Sequence, residues 1–284
     1  MDLQIDHVTV AGRDLDRLTD TFSDAGLPVE YGGRHSNGVT HMAIVGFRDG
    51  SYIELISTLE SDAASPWWDV PIHEDGGPCA WAVDVDDIDA VSADLRDRRV
   101  RVNGPSGYER TREDGMLVEW DLTYLGEGDP GSTLPFLISD RTPRERRVQP
   151  TGNLASSSVT GVDTVVLGVD DLDAGIEEFE TAFDADAPTI SDSDTFDVET
   201  ASFPNLPVML AEPRGDGQFT DRLSSFGPRP VAYLLGDEGR DEDDDRVLEV
   251  GDRTAGSLGN RRIKWLSVSH PTGYPYIGIV DAEP

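Results

Sequence analysis

Apolar and polar positions alternate from Leu3 to Val10, the period of a half-buried strand, and the spacing then lengthens to that of a helix. Asp14 supplies a capping oxygen, and Leu15, Leu18 and Phe22 fall on one face of a helix running to about Gly26. The two-residue period returns at Val29–Tyr31, which a Gly32-Gly33 turn follows, and again at Thr40–Phe47 and Tyr52–Ser57. Asp49-Gly50 between the last two runs is a strong hairpin signal. This stretch therefore reads as strand, helix and three strands.

The order recurs. A second unit opens with a strand at Ala80–Val85, a helix at about Ile88–Arg98, and strands near Arg99–Tyr108, Met116–Tyr124 and Leu134–Ser139. A shift of 157 residues lays Val162-Asp163-Thr164-Val165-Val166-Leu167 on Ile5-Asp6-His7-Val8-Thr9-Val10, and Asp171-Leu172-Asp173 on Asp14-Leu15-Asp16. This third unit runs to about Pro213. In the fourth, Val231–Leu235 is followed by an acidic loop, Gly236–Asp245, in place of a helix, and Ile263–Val268 and Tyr276–Val280 close it. The expected fold is α+β: tandem βαβββ units paired into cupped mixed sheets, four units in two domains. The domains are 1–149 and 159–284, joined by a Ser-, Gly- and Asn-rich linker at 150–158.

Composition adds a setting. The chain carries 56 acidic against 23 basic side chains, a formal charge of −33, and Lys264 is its single lysine. The acidic residues are spread along the whole sequence, which keeps a surface hydrated in concentrated salt and repels phosphates. A cytoplasmic protein of a high-salt cytosol is expected, with no nucleic-acid partner. No apolar run approaches membrane-spanning length, so no membrane partner is expected either. Cys79 is the only cysteine, which excludes an internal disulfide and a thiolate metal cluster.

The unit, paired into a cupped sheet, resembles the vicinal oxygen chelate superfamily, and residues 5–145 resemble its glyoxalase-like domain family. The resemblance rests on Asp6-His7, Asp14-Leu15-Asp16, Gly32-Gly33-Arg34-His35, Gly38-Val39-Thr40-His41 and Asp49-Gly50-Ser51-Tyr52-Ile53-Glu54-Leu55. Arg112-Glu113-Asp114-Gly115 with Trp120, and Leu134-Pro135-Phe136-Leu137-Ile138, continue it in order. The second half matches only through its opening strand and helix.

Strand parity then proposes a site. Ile5, Val8 and Val10 set the helix-facing side of the first strand, so His7 and Thr9 point into the cup. On the last strand Ile53 and Leu55 pack on the helix, leaving Tyr52 and Glu54 in the cup. On the third strand Met42 and Ile44 take the helix side, which sends His41 into the cup. Two imidazoles and a carboxylate suit one divalent metal such as Zn, Fe, Mn or Ni, so His7, His41 and Glu54 are the candidate ligands. The resemblance places metal ligands on the first and last strands of a unit, positions that His7 and Glu54 match and His41 does not. The partner unit offers Ala80 and Phe136 at the equivalent positions, with Glu119 and Asp121 as neighbouring substitutes.

Two functions follow from different classes. One is a metal-dependent lyase, isomerase or dioxygenase acting on a small oxygenated substrate, with Glu54 or His41 moving protons. The other is a metal-free protein that binds or sequesters a small molecule on apolar surface. In either, Tyr52, Trp120 and Phe136 offer stacking surface, His35 sits at the rim, and Arg112 either holds an anionic group or forms a structural ion pair. Trp67-Trp68 forms a lid or packs under a long loop. Packing of the two halves within one chain or across a homodimer is left open.

Overall fold

The computed structural model describes residues 3–112, 114–193, 196–239, 254–269 and 274–281. The first unit consists of β1 (Gln4–Ala11), α1 (Leu15–Asp24), β2 (Glu30–Arg34), β3 (Thr40–Gly46) and β4 (Tyr52–Thr58). A short helix that the pattern does not announce, α2 (Asp69–His73), leads to the second unit. That unit consists of β5 (Gly77–Asp84), α3 (Ile88–Asp97), β6 (Val102–Thr111), β7 (Leu117–Leu125) and β8 (Phe136–Asp140). β9 (Val159–Gly168), α4 (Leu172–Phe183), β10 (Thr189–Ser193), β11 (Val198–Ser202) and β12 (Val208–Pro213) make the third. After α5 (Gln218–Phe226) come β13 (Arg229–Asp237), β14 (Thr254–Leu258), β15 (Arg261–Trp265) and β16 (Ile277–Asp281). The acidic loop expected at Gly236–Asp245 lies outside the described residues from residue 240 onward.

The three helices that follow opening strands start alike. Asp14 accepts the backbone N–H groups of Asp16 and Arg17, Asp87 that of Ala90, and Asp171 that of Ala174. Gly32-Gly33 is not a turn. It lies inside β2, where the register against β3 slips between Tyr31 and Gly33, and the chain reverses at Ser36–Gly38 instead. There the Asn37 side-chain oxygen accepts the N–H groups of Val39 and Thr40.

Two mixed sheets of eight strands result, ordered β2-β3-β4-β1-β5-β8-β7-β6 and β10-β11-β12-β9-β13-β16-β15-β14. At the centre of the first, β1 runs antiparallel to β5 with Val8 opposite Trp81, His7 opposite Ala82 and Thr9 opposite Ala80. This register is a local dyad between the two units. β4 pairs with β1 (Thr9 opposite Glu54) as β8 pairs with β5 (Ala82 opposite Phe136). The dyad therefore carries His7 onto Ala80 and Glu54 onto Phe136.

Helices cover only the flanks of the convex face: α1 lies on β3 and β4, and α3 on β6, β7 and β8. The bare centre, β1 and β5, is covered by β9 and β13 of the other sheet. Val8, Val10, Trp81 and Val83 thus share one continuous core with Val165, Phe179 and Tyr233. The stretch at 150–158 is no free linker. Thr151 donates its N–H to the Gly46 carbonyl at 3.0 Å, and Leu154 is fully buried in the shared core. Among the described residues no helix is long and apolar enough to cross a membrane.

Candidate functional site

The concave face of the first sheet closes around a cavity of about 80 Å³, room for several water-sized groups. Its floor is β1 and β4, which bring His7, Tyr52 and Glu54. Met42 and Ile44 line one wall, and Tyr108, Arg110, Trp120, Leu122, Tyr124 and Phe136 line the other. Trp67 and Trp68, from the segment before α2, complete the lining. Trp68 holds a left-handed backbone (φ 53°) and donates its indole N–H to the Pro130 carbonyl at 2.9 Å, tying this segment to the loop before β8.

His7 reaches the cavity through an irregularity. Relative to β5, β1 carries one extra residue between Ile5 and His7, a bulge at Asp6. The bulge explains why Ile5 and Val8, three apart in sequence, can both join the convex core. It also buries the Asp6 carboxylate completely, 2.5 Å from His7 Nδ1. Two arginines from beyond β8 converge on that carboxylate. Arg147 donates to both Asp6 oxygens (2.9 and 2.6 Å), to both Asp140 oxygens and to the Tyr52 hydroxyl. Arg144 donates to Asp6 at 2.5 Å. Burial pushes the Asp6 carboxyl up, but Arg147 overrides it and holds Asp6 well below the ordinary range. The Tyr52 ring stacks on the His7 imidazole with centroids 4.7 Å apart, and Phe136 meets it edge-on. The imidazole is thus held by Tyr52 on one face, by the Phe136 ring and at Nδ1, which leaves Nε2 as its one uncommitted nitrogen.

His35 lines the same cavity. Its Nδ1 is 2.8 Å from the Thr40 hydroxyl, and its Nε2 is 3.8 Å from Glu54 Oε1. Burial pushes the Glu54 carboxyl up, while His35, His7 and Arg110 together hold it below its ordinary value, so Glu54 is an ionised carboxylate at neutral pH. Arg110, 6% exposed, comes from β6 of the second unit. It donates Nη1 to the Gly32 carbonyl in the β2 bulge, and its Nε has no partner.

Of the residues expected at the site, His7, Glu54, Tyr52, His35, Trp120 and Phe136 line the cavity. His41 does not. β3 is apolar on both faces: Met42 and Ile44 line the cup while Ala43 and Val45 join the convex core, so polarity cannot decide its facing. His41 therefore points to the helix side, with Tyr31 as ring neighbour at 6.1 Å and Asp16 of α1 as the charge near it. Burial lowers its proton affinity there, and it has no access to Glu54 as a co-ligand or proton carrier. Arg112 is also outside the cavity, at the end of the β6–β7 hairpin, bonded to the Arg146 carbonyl (2.8 Å) and paired with Asp114. The arginine two residues earlier on the same face, Arg110, takes the inner position. Asp121 is held by Arg141 at 2.5 Å and, like Glu119, lies outside the cavity. Arg110 and Arg147 were missed; alternation along β6 from Tyr108 could have found the first, whereas nothing local marks the second.

The cup holds the donors a divalent metal selects: two imidazoles steadied through Nδ1 and an ionised carboxylate, His7, His35 and Glu54. Their ligand atoms are spread, however. Among the described residues only Asp6, Asp84 and Asp140 have ligand atoms all within 4.8 Å of one another. Arg144 and Arg147 already pair with all three of these carboxylates, so arginine occupies the place a cation would take. By the chemistry of its donors, the cup trio is the set that would hold a metal.

This cupped pair of βαβββ units, with donors on its first and last strands, defines a glyoxalase-like scaffold of the vicinal oxygen chelate superfamily. The profile of the glyoxalase-like domain family matches residues 5–183, so the chain belongs to that family. A hypothetical protein from Staphylococcus aureus superposes with a TM-score of 0.64 at 17% identity, covering 98% of both chains. A variant of 4-hydroxymandelate synthase from Streptomyces coelicolor does so at 0.61 and 15% identity, covering 100% of this chain and 94% of that one. At such identities the likeness is one of fold. No protein of curated function matches the chain in sequence.

Proposed function

We propose that the protein is a metal-dependent enzyme of the lyase, isomerase or dioxygenase kind, acting on a small oxygenated substrate in the N-terminal cup. The observation that carries this reading is the pinning of two imidazoles around one ionised carboxylate. Asp6 and Thr40 fix the Nδ1 atoms of His7 and His35, and Glu54, 3.8 Å from His35 Nε2, lines the same largely apolar and aromatic cavity. His7, His35 and Glu54 would hold the ion, which when bound supplies a Lewis acid for adjacent substrate oxygens. The residues supply the rest. Tyr52 and Phe136 hold the His7 ring in place, and the aromatic wall seats the substrate and keeps water out. Glu54, ionised through its positive neighbours, takes up a proton from the bound substrate when not fully engaged by the ion. The acid-rich surface supports a working environment of concentrated salt.

The spread of the three ligand atoms and the apolar lining favour a second reading, a metal-free binding protein on the same cup. Metal content by elemental mass spectrometry, on untagged protein purified in high salt without chelators, separates the two. The expected result is about one equivalent of a transition metal, lost in His7→Ala, His35→Ala and Glu54→Gln. A protein that carries none, and takes up none when Zn, Fe, Mn or Ni is added, would overturn the enzyme reading in favour of the binder.

A further inference from the structure

Arg110 helps to keep Glu54 ionised, but it makes no contact of its own with a charged partner. It is 6% exposed, it lines the cavity, and its Nε has no hydrogen-bond partner although a buried guanidinium nitrogen carries a desolvation cost when left unpaired. Its one bond, from Nη1 to the Gly32 carbonyl, is made to a neutral group and leaves its charge uncompensated by contact. The other cavity arginine differs: Arg147 is spent on Asp6, Asp140 and Tyr52 through all three of its nitrogens. Among the described cavity residues, then, Arg110 is the one arginine with an unpaired buried donor to offer a ligand, and the charge of Glu54 disfavours more than one negative charge on that ligand. A single-charged anion suits this balance; a phosphate dianion does not.

The wall around Arg110 identifies the body that carries the charge. Tyr108 and Trp120 stack with centroids 6.5 Å apart, and Tyr124 meets Phe136 edge-on at 6.0 Å. Trp67 and Trp68 add two more ring systems to the lining. A cavity walled by ring faces and edges favours a flat, apolar body over a flexible chain. We propose that the substrate or ligand of the cup is a small aromatic monocarboxylate, with Arg110 receiving the carboxylate and the aromatic wall receiving the ring. Arg110 is thus the specificity-determining residue of the site. The proposal rests on the reading of this cup as the working site, but not on whether a metal occupies it.

Titration calorimetry in high salt tests it, with benzoate as probe and benzamide as its neutral isostere, on the protein as purified. The expected result is that benzoate binds and benzamide binds at least tenfold more weakly. Arg110→Met should weaken benzoate by roughly 10- to 100-fold, the loss of a charge-assisted hydrogen bond, with little effect on benzamide. Arg110→Lys keeps the charge without the fork and should fall between the two. Metal content and unfolding midpoint of both variants, measured alongside, identify a variant that has failed to fold, and Arg110→Lys then carries the test. Equal binding of benzoate and benzamide, benzoate binding indifferent to Arg110, or no benzoate binding at all would each overturn the proposal. A protein without metal that still binds benzoate through Arg110 would sink the metal-dependent reading and leave this one standing.

Discussion

Asp6 shows how much of this site depends on one buried residue. Its carboxylate contacts His7, Arg144 and Arg147 at once. Asp6→Asn keeps the shape and removes the charge, leaving a buried Arg147 with Asp140 alone. The expected cost is about 3–5 kcal/mol of unfolding free energy, read by chemical denaturation in high salt. The sign of the pH dependence follows from the same pair. Because the folded-state value of Asp6 is depressed, its contribution is fully present above the unfolded value of about 3.9 and is lost as pH falls through the lower folded one. The wild-type protein should therefore lose stability below about pH 4 more steeply than Asp6→Asn does; parallel acid curves would show that Asp6 is not the group responsible. His7, Tyr52 and Glu54 were legible from strand parity because they alternate with Val8, Val10, Ile53 and Leu55, which join the convex core. Arg147 was not, since it contacts Asp6 from 141 residues away in sequence and no period marks such a reach.

At the scale of elements, the repeated strand–helix start was legible because a capping aspartate and a change of period are local signals. The irregular pieces that shape the cup were not. The bulge at Asp6 left a trace, the odd spacing of Ile5 and Val8, but the pair Gly32-Gly33 imitated a turn while serving as a bulge under Arg110. His41 failed for a different reason: a strand covered on both faces carries no parity signal. The docking of the segment after β8 was equally silent. It depends on Gly46, where an added Cβ would stand 2.1 Å from the Gln149 carbonyl oxygen. That neighbour is backbone and is held in place as Thr151 bonds Gly46 in both directions. Gly46→Ala should therefore push the connecting segment off β3 and cost about 3 kcal/mol, seen as a lower denaturation midpoint and faster proteolysis between residues 147 and 158. An alanine variant as stable as the parent would show that this contact is not needed to dock the segment.

Over the whole molecule, two opposing electrostatic regimes coexist. Inside, charges are paired or held by backbone carbonyls, and the halves are joined through polar groups as well as apolar ones. The Tyr233 hydroxyl lies 2.8 Å from the carbonyls of both Thr9 and Ala80, at the dyad of the first sheet, and Arg222 of α5 donates to the Gly76 and Pro78 carbonyls at the start of β5. Outside, a net charge of −33 repels itself. Salt acts unequally on the two. The Debye length falls from about 10 Å at 0.1 M to about 3 Å at 1 M, which screens surface repulsion strongly and buried pairs little. Unfolding spreads the same charge over a larger volume, so at low salt repulsion favours the unfolded chain. Raising KCl from 0.1 M to 2 M should therefore raise the urea midpoint of the wild-type protein. Asp6→Asn should gain as much from the same change, because the pair it lacks lies inside and is barely screened. A wild-type midpoint that stays level or falls with KCl would mean that local ion pairs, rather than summed repulsion, set how the surface charge acts on this fold.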